Sequence, residues 1–105
     1  MIKLILVDDH VLFREGLASI IRSEPGFEIA GMAGTVREAV EMAGMIKPDI
    51  ILMDFSLPDG TGADATQQIL AVHPNCGIIF LTMYDSSARS RSLIIETRAE
   101  SQPGA

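Results

Sequence analysis

The chain has 105 residues and a formal net charge of −6, which is enough for one domain and too few for two. Hydrophobic residues make up 48% of it, so a packed core is expected and extensive disorder is not. The acidic balance argues against a nucleic-acid-binding surface, because phosphate contacts need clustered Lys and Arg. The start shows no cleavage site, and no apolar run approaches the length of a membrane span. We therefore expect a soluble, cytoplasmic protein.

Four short segments predict β-strands. Residues 4–7, 50–53 and 78–81 are uniformly apolar, which is typical of strands covered on both faces of a parallel sheet. Residues 27–30 alternate between apolar and polar side chains, which predicts an edge strand.

Helical patterns separate the predicted strands. Apolar residues recur at helical spacing from Phe13 to Ile21, before a Glu-Pro-Gly stop. Thr35 and Glu38 have the spacing of a capping box and begin a second helix. A third helix is predicted over residues 63–72. Strands and helices thus alternate, which predicts an α/β fold with a doubly wound parallel sheet.

The composition changes after Asp85. Residues 1–85 contain five Lys or Arg and twelve Asp or Glu, whereas residues 86–105 contain three Arg, two Glu and five Ser. Residues 86–100 would make one helix, or residues 93–95 one short strand. We therefore divide the chain into a core, residues 1–85, and an atypical tail, residues 86–105.

Polar side chains follow three of the predicted strands. Asp8 and Asp9 follow the first, Asp54 follows the third and Thr82 follows the fourth. Parallel strands bring their carboxyl ends to one rim, where open α/β sheets bind ligands. Three close carboxylates repel one another unless a cation lies among them, and hard oxygen ligands favour Mg2+.

Simpler roles exist for several of these polar residues. Asp9 would be a helix cap, and Asp59 and Asp64 loop and helix-start residues rather than ligands. His10 is expected at a helix start facing solvent rather than on a metal. Cys76, the single cysteine, is expected to be a buried, inert thiol.

Five segments resemble the receiver domain of bacterial response regulators, of the type usually followed by a helix-turn-helix DNA-binding domain. They are residues 7–10 (Val-Asp-Asp-His), 13–17 (Phe-Arg-Glu-Gly-Leu), 48–58 (Pro-Asp-Ile-Ile-Leu-Met-Asp-Phe-Ser-Leu-Pro), Gly62, and 81–85 (Leu-Thr-Met-Tyr-Asp). The resemblance covers about residues 1–85 and implies a flavodoxin-like fold and a two-component signalling module rather than an enzyme.

The resemblance also implies an acceptor and a metal site. Asp54 would take a phosphoryl group from a phosphohistidine on a sensor histidine kinase. Asp9, Asp54 and the backbone carbonyl of Ser56 would bind Mg2+ directly, and Asp8 would hold a metal-bound water.

A switch and a shaped loop are implied by the same resemblance. Thr82 would hydrogen-bond the phosphoryl group and pull its loop inward, and Tyr84 belongs to the surface that changes on activation. Pro58 and Gly62 would shape the loop after Asp54.

The chain departs from the family at its end. A receiver of this type has a fifth strand that follows a phosphoryl-binding Lys, and then a fifth helix. Here Lys3 and Lys47 are the only lysines, and both precede strands at the end opposite the acidic rim. Without the fifth strand the fourth becomes an edge, which the tail or a second copy of the chain would cover. The tail arginines at positions 89, 91 and 98 are candidates to replace the missing Lys.

Other functions remain as alternatives. The first is a receiver-fold binding or dimerisation module with little or no phosphoryl transfer. A magnesium phosphohydrolase is disfavoured because Ser56 stands where that chemistry uses an Asp. A cobalamin-binding module is disfavoured because Phe13 stands where its motif needs Gly, and DNA binding by this chain alone has no helix-turn-helix behind it.

Overall fold

The structure, a computed structural model, describes residues 1–87 and 90–98, with the side chains of residues 1–81. The elements in chain order are β1 (Ile2–Val7), α1 (Val11–Arg22), β2 (Phe27–Ala33), α2 (Val36–Ile46), β3 (Ile50–Asp54), β4 (Ser56–Leu57), β5 (Gly60–Thr61), α3 (Gly62–Val72), β6 (Gly77–Ser87) and β7 (Ser90–Arg98). Among these described residues, no helix is long and apolar enough to cross a membrane.

The main sheet has five strands in the order β2-β1-β3-β6-β7. The first four strands are parallel, and β2 lies at the edge as its alternating pattern predicted. The register pairs Val7 with Met53 and Asp54 with Leu81, so the carboxyl ends of β1, β3 and the middle of β6 reach one level. The predicted α/β doubly wound fold is confirmed.

Each face of the sheet packs against different helices, because successive side chains of a strand point to opposite faces. Ile5, Ile51, Met53 and Ile78 belong to a continuous buried core. That core also contains buried residues of α2 and α3, such as Ala43 and Ile69, so these two helices cover one face.

The described residues cover the opposite face only in part. Leu4 of β1 lies on the same face of the sheet as α1. Next to α1, an apolar groove of about 220 Å³ extends over β3 and β6. The groove is lined by Leu4, Ile20, Ile21, Glu24, Phe27, Ile50, Leu52 and Ile79. Leu52 and Ile79 are therefore only partly buried.

The start of α2 differs from the capping predicted by sequence. Thr35 accepts a hydrogen bond from Glu38 N at 3.0 Å, but the Glu38 carboxylate accepts from Gly34 N and not from Thr35. The predicted capping box at α2 is thus only half formed. A complete box begins α3 instead, where Thr61 and Asp64 each bind the other's backbone N–H. The helix-start role predicted for Asp64 is confirmed.

The tail forms a strand and not a helix. β6 runs on to Ser87, and β7 returns beside it in antiparallel register, with residues 93–95 opposite residues 83, 82 and 81. The strand alternative is therefore confirmed over a longer range than predicted, and the helix alternative is wrong. The pairing removes β6 from the sheet edge and makes β7 the new edge strand.

Cys76 lies in the core, as expected, with 2% of its surface exposed. Burial, with a smaller contribution from the charge of Asp49, raises the pKa of its thiol to about 11. The thiol is therefore protonated at neutral pH, and a protonated thiol is a poor nucleophile.

Candidate functional site

Three carboxylates and an imidazole meet at the carboxyl ends of β1 and β3. Asp8, Asp9, His10 and Asp54 each offer one ligand atom, and these atoms all lie within 4.8 Å of one another. Asp8 and Asp9 directly follow β1, and Asp54 is the last residue of β3, so the parallel register brings them together. This acidic rim is the one expected from the spacing of the strands.

Asp8 is the buried member of the rim, with 3% of its surface exposed. Its Oδ1 accepts a hydrogen bond from the backbone N–H of His10 at 2.7 Å. Its backbone N–H donates to Ala33 O at 3.0 Å, and its backbone carbonyl accepts from Arg14 Nη1 at 2.9 Å. These contacts from β2 and α1 hold the Asp8 carboxylate in one place.

His10 joins the rim in a way that the sequence did not indicate. It is the N-cap residue of α1 but makes no side-chain capping bond. Its side chain is 72% exposed, as expected, yet its Nδ1 lies 3.1 Å from Asp8 Oδ1 and 3.3 Å from Asp9 Oδ1. The hydrogen bond with Asp8, followed by the charges of Asp9 and Asp8, raises the pKa of His10.

The helix-cap alternative for Asp9 is wrong. His10 occupies the N-cap position of α1, and the Asp9 carboxylate pairs with the His10 ring instead. Asp9 is therefore left with its oxygens at the rim rather than on helical N–H groups.

Asp54 is part-buried at the end of β3. Burial raises the pKa of its carboxyl, and the charge of Asp8 raises it further, with a smaller contribution from Asp9. Hydrogen bonds from the backbone N–H groups of Ser56 and Phe55 lower the pKa of Asp54. Within residues 1–81, no Lys or Arg forms a salt bridge with Asp54.

The rim fits a hard divalent cation such as Mg2+. Asp8, Asp9 and Asp54 each offer one carboxylate oxygen, these oxygens lie within 4.8 Å of one another, and oxygen ligands suit Mg2+. Burial raises the pKa of Asp54, and the charges of Asp8 and Asp9 raise it further, so part of the effect is repulsion between neighbouring carboxylates. A divalent cation would remove this repulsion.

A small hairpin follows Asp54. Its strands β4 and β5 pair Ser56 with Thr61 and Leu57 with Gly60, so Pro58 and Asp59 form the two-residue turn. Ser56 is exposed on β4, and Pro58 is exposed in the turn. Gly62 begins α3, and its backbone N–H donates to Phe55 O at 2.7 Å, which closes the base of the hairpin.

Asp59 has a contact that sequence analysis missed. It is a turn residue, as expected, but its carboxylate accepts hydrogen bonds from Val36 N at 2.7 Å and Arg37 N at 3.1 Å. It therefore caps α2 from more than twenty positions away in the chain. No local sequence pattern could have revealed this, because the capping residue and the helix belong to different segments.

The lysines lie away from the rim, as the sequence indicated. Lys47 Nζ donates to the carbonyl of Val72 at the end of α3, at 2.8 Å. Lys3 is near the amino end of β1, where its backbone N–H donates to Asp49 at 2.8 Å. Both positions are at the amino ends of parallel strands, whereas Asp54 is at a carboxyl end.

The register of β7 also bears on the tail arginines. Leu81 pairs with Asp54 on one side and with Ile95 on the other, so Ile95 marks the level of the rim on β7. Arg98 is three residues from Ile95 and Arg91 is four, which corresponds to about 10 Å or more along a strand. This spacing disfavours both as substitutes for the missing Lys, and Arg89 lies outside the described residues.

The two predicted switch residues belong to β6. The backbone of Thr82 pairs with Ile94, and that of Tyr84 with Ser92. Their side chains lie outside the described part of the chain, so their roles stay predictions.

Comparisons with known proteins agree with this geometry. A family model described as the response regulator receiver domain matches residues 4–100. The DNA-binding transcriptional activator DevR/DosR of Mycobacterium tuberculosis is 36% identical over 86 residues, covering 82% of this chain and 40% of the relative. Curated relatives of this kind are longer, since the chain spans 37%, 40% and 46% of the length of three of them.

Solved structures show the same likeness. A two-component response regulator of the LuxR family from Aurantimonas sp. SI85-9A1 superposes with a TM-score of 0.77 at 33% identity, over 81% of this chain and 61% of that one. The response regulator domain of Thermotoga maritima CheB superposes with a TM-score of 0.75 at 32% identity, over 84% and 66%. The sequence, the fold and the acidic rim together show that this chain belongs to the response regulator receiver domain family.

Proposed function

We propose that this chain is the phosphoacceptor module of a cytoplasmic two-component system, with Asp54 as the residue that takes the phosphoryl group. The observation that supports this most directly is the cluster of Asp8, Asp9 and Asp54 within 4.8 Å at one rim. The donor would be a phosphohistidine on a sensor histidine kinase.

The proposed reaction is a direct displacement at phosphorus. A carboxylate oxygen of Asp54 forms a bond to phosphorus while the bond from phosphorus to the imidazole nitrogen of the donor breaks. The electron pair of the broken bond leaves with the imidazole, and Asp54 becomes an acyl phosphate. Mg2+ would neutralise charge on the phosphoryl oxygens during this step.

The residues around the rim would bind Mg2+ in two ways, directly or through a metal-bound water. Asp9, Asp54 and the backbone carbonyl of Ser56 are proposed as direct ligands, and Asp8 as the residue that holds a metal-bound water. Burial of Asp8 supports a fixed, orienting role, because its carboxylate is already hydrogen-bonded to His10 N.

Signal output is proposed to pass through β6 and the loop after Asp54. Thr82 would bind the phosphoryl group, Tyr84 would respond to it, and Pro58 and Gly62 would keep the loop in shape. In this proposal residues 1–85 are the receiver core, and residues 86–105 replace the usual fourth helix, fifth strand and fifth helix.

A second candidate is a receiver-fold module that binds or dimerises with little phosphoryl transfer. It is favoured by the sequence, which contains no Lys after Lys47 to stabilise the transferring phosphoryl group. A homodimer would then form through the edge strand β7 or the rest of the tail, because an edge strand presents unpaired backbone groups.

Labelling with a small phosphodonor separates the two candidates. Purified chain is incubated with acetyl phosphate and Mg2+ and its intact mass is recorded, with an ordinary receiver as the positive control. The first candidate predicts a mass increase of one phosphoryl group in wild type and none in Asp54→Asn. No increase in wild type, under conditions that label the control, rejects it in favour of the second.

A further inference from the structure

We propose that Asp59 is a positioning residue for the Mg2+ site, because it ties the hairpin that contains Ser56 to the start of α2. The inference rests on the proposed function, in which the Ser56 carbonyl is a metal ligand. It concerns a side chain outside the acidic rim, which would act on the site only through the backbone.

The contact itself is well defined. Asp59 Oδ1 accepts from Val36 N at 2.7 Å and Oδ2 accepts from Arg37 N at 3.1 Å, so both carboxylate oxygens are used. These two hydrogen bonds lower the pKa of the exposed Asp59 carboxyl, and the bond from Val36 N makes the larger contribution. The carboxylate is therefore ionised at neutral pH, when it is the stronger acceptor.

The contact joins the hairpin that contains Ser56 to a segment, the end of β2 and the start of α2, that lies against Asp8 and Asp9. On one side, Asp59 is in the turn between β4, which contains Ser56, and β5. On the other side, α2 begins just after β2, whose last residue, Ala33, accepts a hydrogen bond from Asp8 N at 3.0 Å. Gly34, the next residue, also packs close to this segment, since a methyl group at position 34 would lie 3.9 Å from the Asp9 Cα. Asp59 thus sets the distance between Ser56 and the Asp8–Asp9 segment.

Other contacts also hold the hairpin, but at different places. Leu57 is buried in the core with 8% of its surface exposed, and the bond from Gly62 N to Phe55 O closes the base. In the described residues, both hydrogen bonds between the hairpin and α2 are accepted by Asp59. Loss of its carboxylate should therefore loosen the hairpin tip without unfolding the hairpin.

The simpler explanation is that Asp59 only stabilises α2. A matched variant separates the two roles, because Thr35 caps the same helix through Glu38 N at 3.0 Å and makes no bond to the hairpin. Thr35→Ala and Asp59→Ala each remove capping from α2, and both are expected to lower the melting temperature. Only Asp59→Ala releases the hairpin.

The test compares wild type, Thr35→Ala, Asp59→Ala and Asp59→Asn in two measurements. Calorimetric titration with Mg2+ is expected to give about tenfold weaker binding for Asp59→Ala and little change for Thr35→Ala, as for loss of a residue that orients a metal ligand. Asp59→Asn keeps one acceptor oxygen, so its Mg2+ affinity should lie between those of Asp59→Ala and Thr35→Ala. This variant also provides the comparison if Asp59→Ala does not fold. Hydrogen–deuterium exchange should rise in residues 56–61 in Asp59→Ala and not in Thr35→Ala.

Equal effects of the two capping variants on Mg2+ affinity and on hairpin exchange overturn the proposal. Acetyl phosphate labelling adds a kinetic criterion: Asp59→Ala should label slowly at low Mg2+ and recover at saturating Mg2+. If wild type binds Mg2+ but takes no label, the proposed function fails while the Mg2+ titrations still decide the role of Asp59. If wild type binds no Mg2+, the role of Asp59 in positioning a metal ligand is rejected. Unequal hydrogen–deuterium exchange in the hairpin would then show only that Asp59 holds the hairpin to α2.

Discussion

Gly62 lies directly against the backbone of Asp54: a methyl group at position 62 would be 2.5 Å from the Asp54 carbonyl oxygen. It would also be 3.0 Å from the side chains of Met53 and Phe80, so there is no direction in which it could move away. Gly62→Ala should therefore destabilise the fold by about 1–3 kcal/mol, the usual range for overpacking a core. Because backbone must shift, labelling of Asp54 should slow as well.

Gly44→Ala is the matched control for that substitution. Gly44 is inside α2, and the nearest atom to an added methyl group is Val72 Cγ2 at 4.0 Å. Replacing glycine within a helix should raise stability by about 0.5–1 kcal/mol. Urea unfolding of both variants checks the pair, and equal stability of the two would show that Gly62 is not needed for close packing.

Asp54→Asn should make the Mg2+-free protein more stable near neutral pH. The folded-state pKa of Asp54 is raised above its usual 3.8, so the folded state favours the protonated carboxyl. The stability that the protonated group contributes is present below the unfolded-state pKa and is lost as pH rises through the folded-state pKa. Above that range the ionised carboxylate therefore lowers the free energy of unfolding of wild type, by an amount that solvent screening at this part-exposed site reduces.

The measurement is urea unfolding of wild type and Asp54→Asn, with and without Mg2+. The advantage of Asp54→Asn should disappear at acidic pH and reverse when Mg2+ is added, since Mg2+ stabilises only a chain that retains its ligand. Glu15→Gln, an exposed change on α1, controls for net charge alone. An equal gain in Glu15→Gln would mean that overall charge, and not repulsion at the rim, explains the effect.

His10 should make Mg2+ binding depend on pH. Pairing with Asp8 and Asp9 raises its pKa, so protonated His10 contributes stability that is present below its usual 6.5 and lost as pH rises through the raised value. The imidazolium pairs with carboxylates that would also bind the proposed Mg2+. Apparent Mg2+ affinity should therefore increase as pH rises through that value.

His10→Gln removes the competing proton. Its Mg2+ affinity should exceed that of wild type at pH 6 and vary less between pH 6 and pH 8. Calorimetric titration at several pH values checks this. Parallel pH profiles for the two proteins would show that His10 does not compete with the metal.

Cys76 should react slowly with thiol reagents in the native state. The thiol is buried, and its pKa is raised to about 11, so both access and thiolate fraction are low at neutral pH. Reaction with a chromogenic disulfide should be slow in buffer and fast in urea. Comparable rates in the two conditions would contradict the burial of Cys76.

The parallel sheet and the rim were predictable from sequence because both follow from local patterns. Apolar runs that end in Asp8 and Asp54 identify the strands and the edge at which these side chains meet. The capping of α2 was only half predicted: Thr35 could be recognised from spacing, whereas Glu38 binds Gly34 N and Asp59 reaches α2 from another segment. Contacts of the second kind depend on the folded arrangement of segments distant in the chain.

The position of His10 and the secondary structure of the tail could not be predicted from the sequence, for two different reasons. A histidine after two aspartates is compatible with facing solvent or facing its neighbours, and the rotation of the chain at the start of α1 decides between them. In the tail, the apolar residues 93–95 fit either a helix or a strand. The unpaired edge of β6 decides this, because β7 satisfies its backbone groups.

Locating the phosphoryl group on the chain would show which carboxylate accepts it. After incubation with acetyl phosphate and Mg2+, borohydride reduction converts an aspartyl phosphate to homoserine, which peptide mass spectrometry assigns to one residue. The proposed function predicts homoserine at position 54, dependent on Mg2+ and absent from Asp54→Asn. Its absence from wild type, or its appearance at Asp8 or Asp9 instead, would contradict the assignment of Asp54 as the phosphoacceptor.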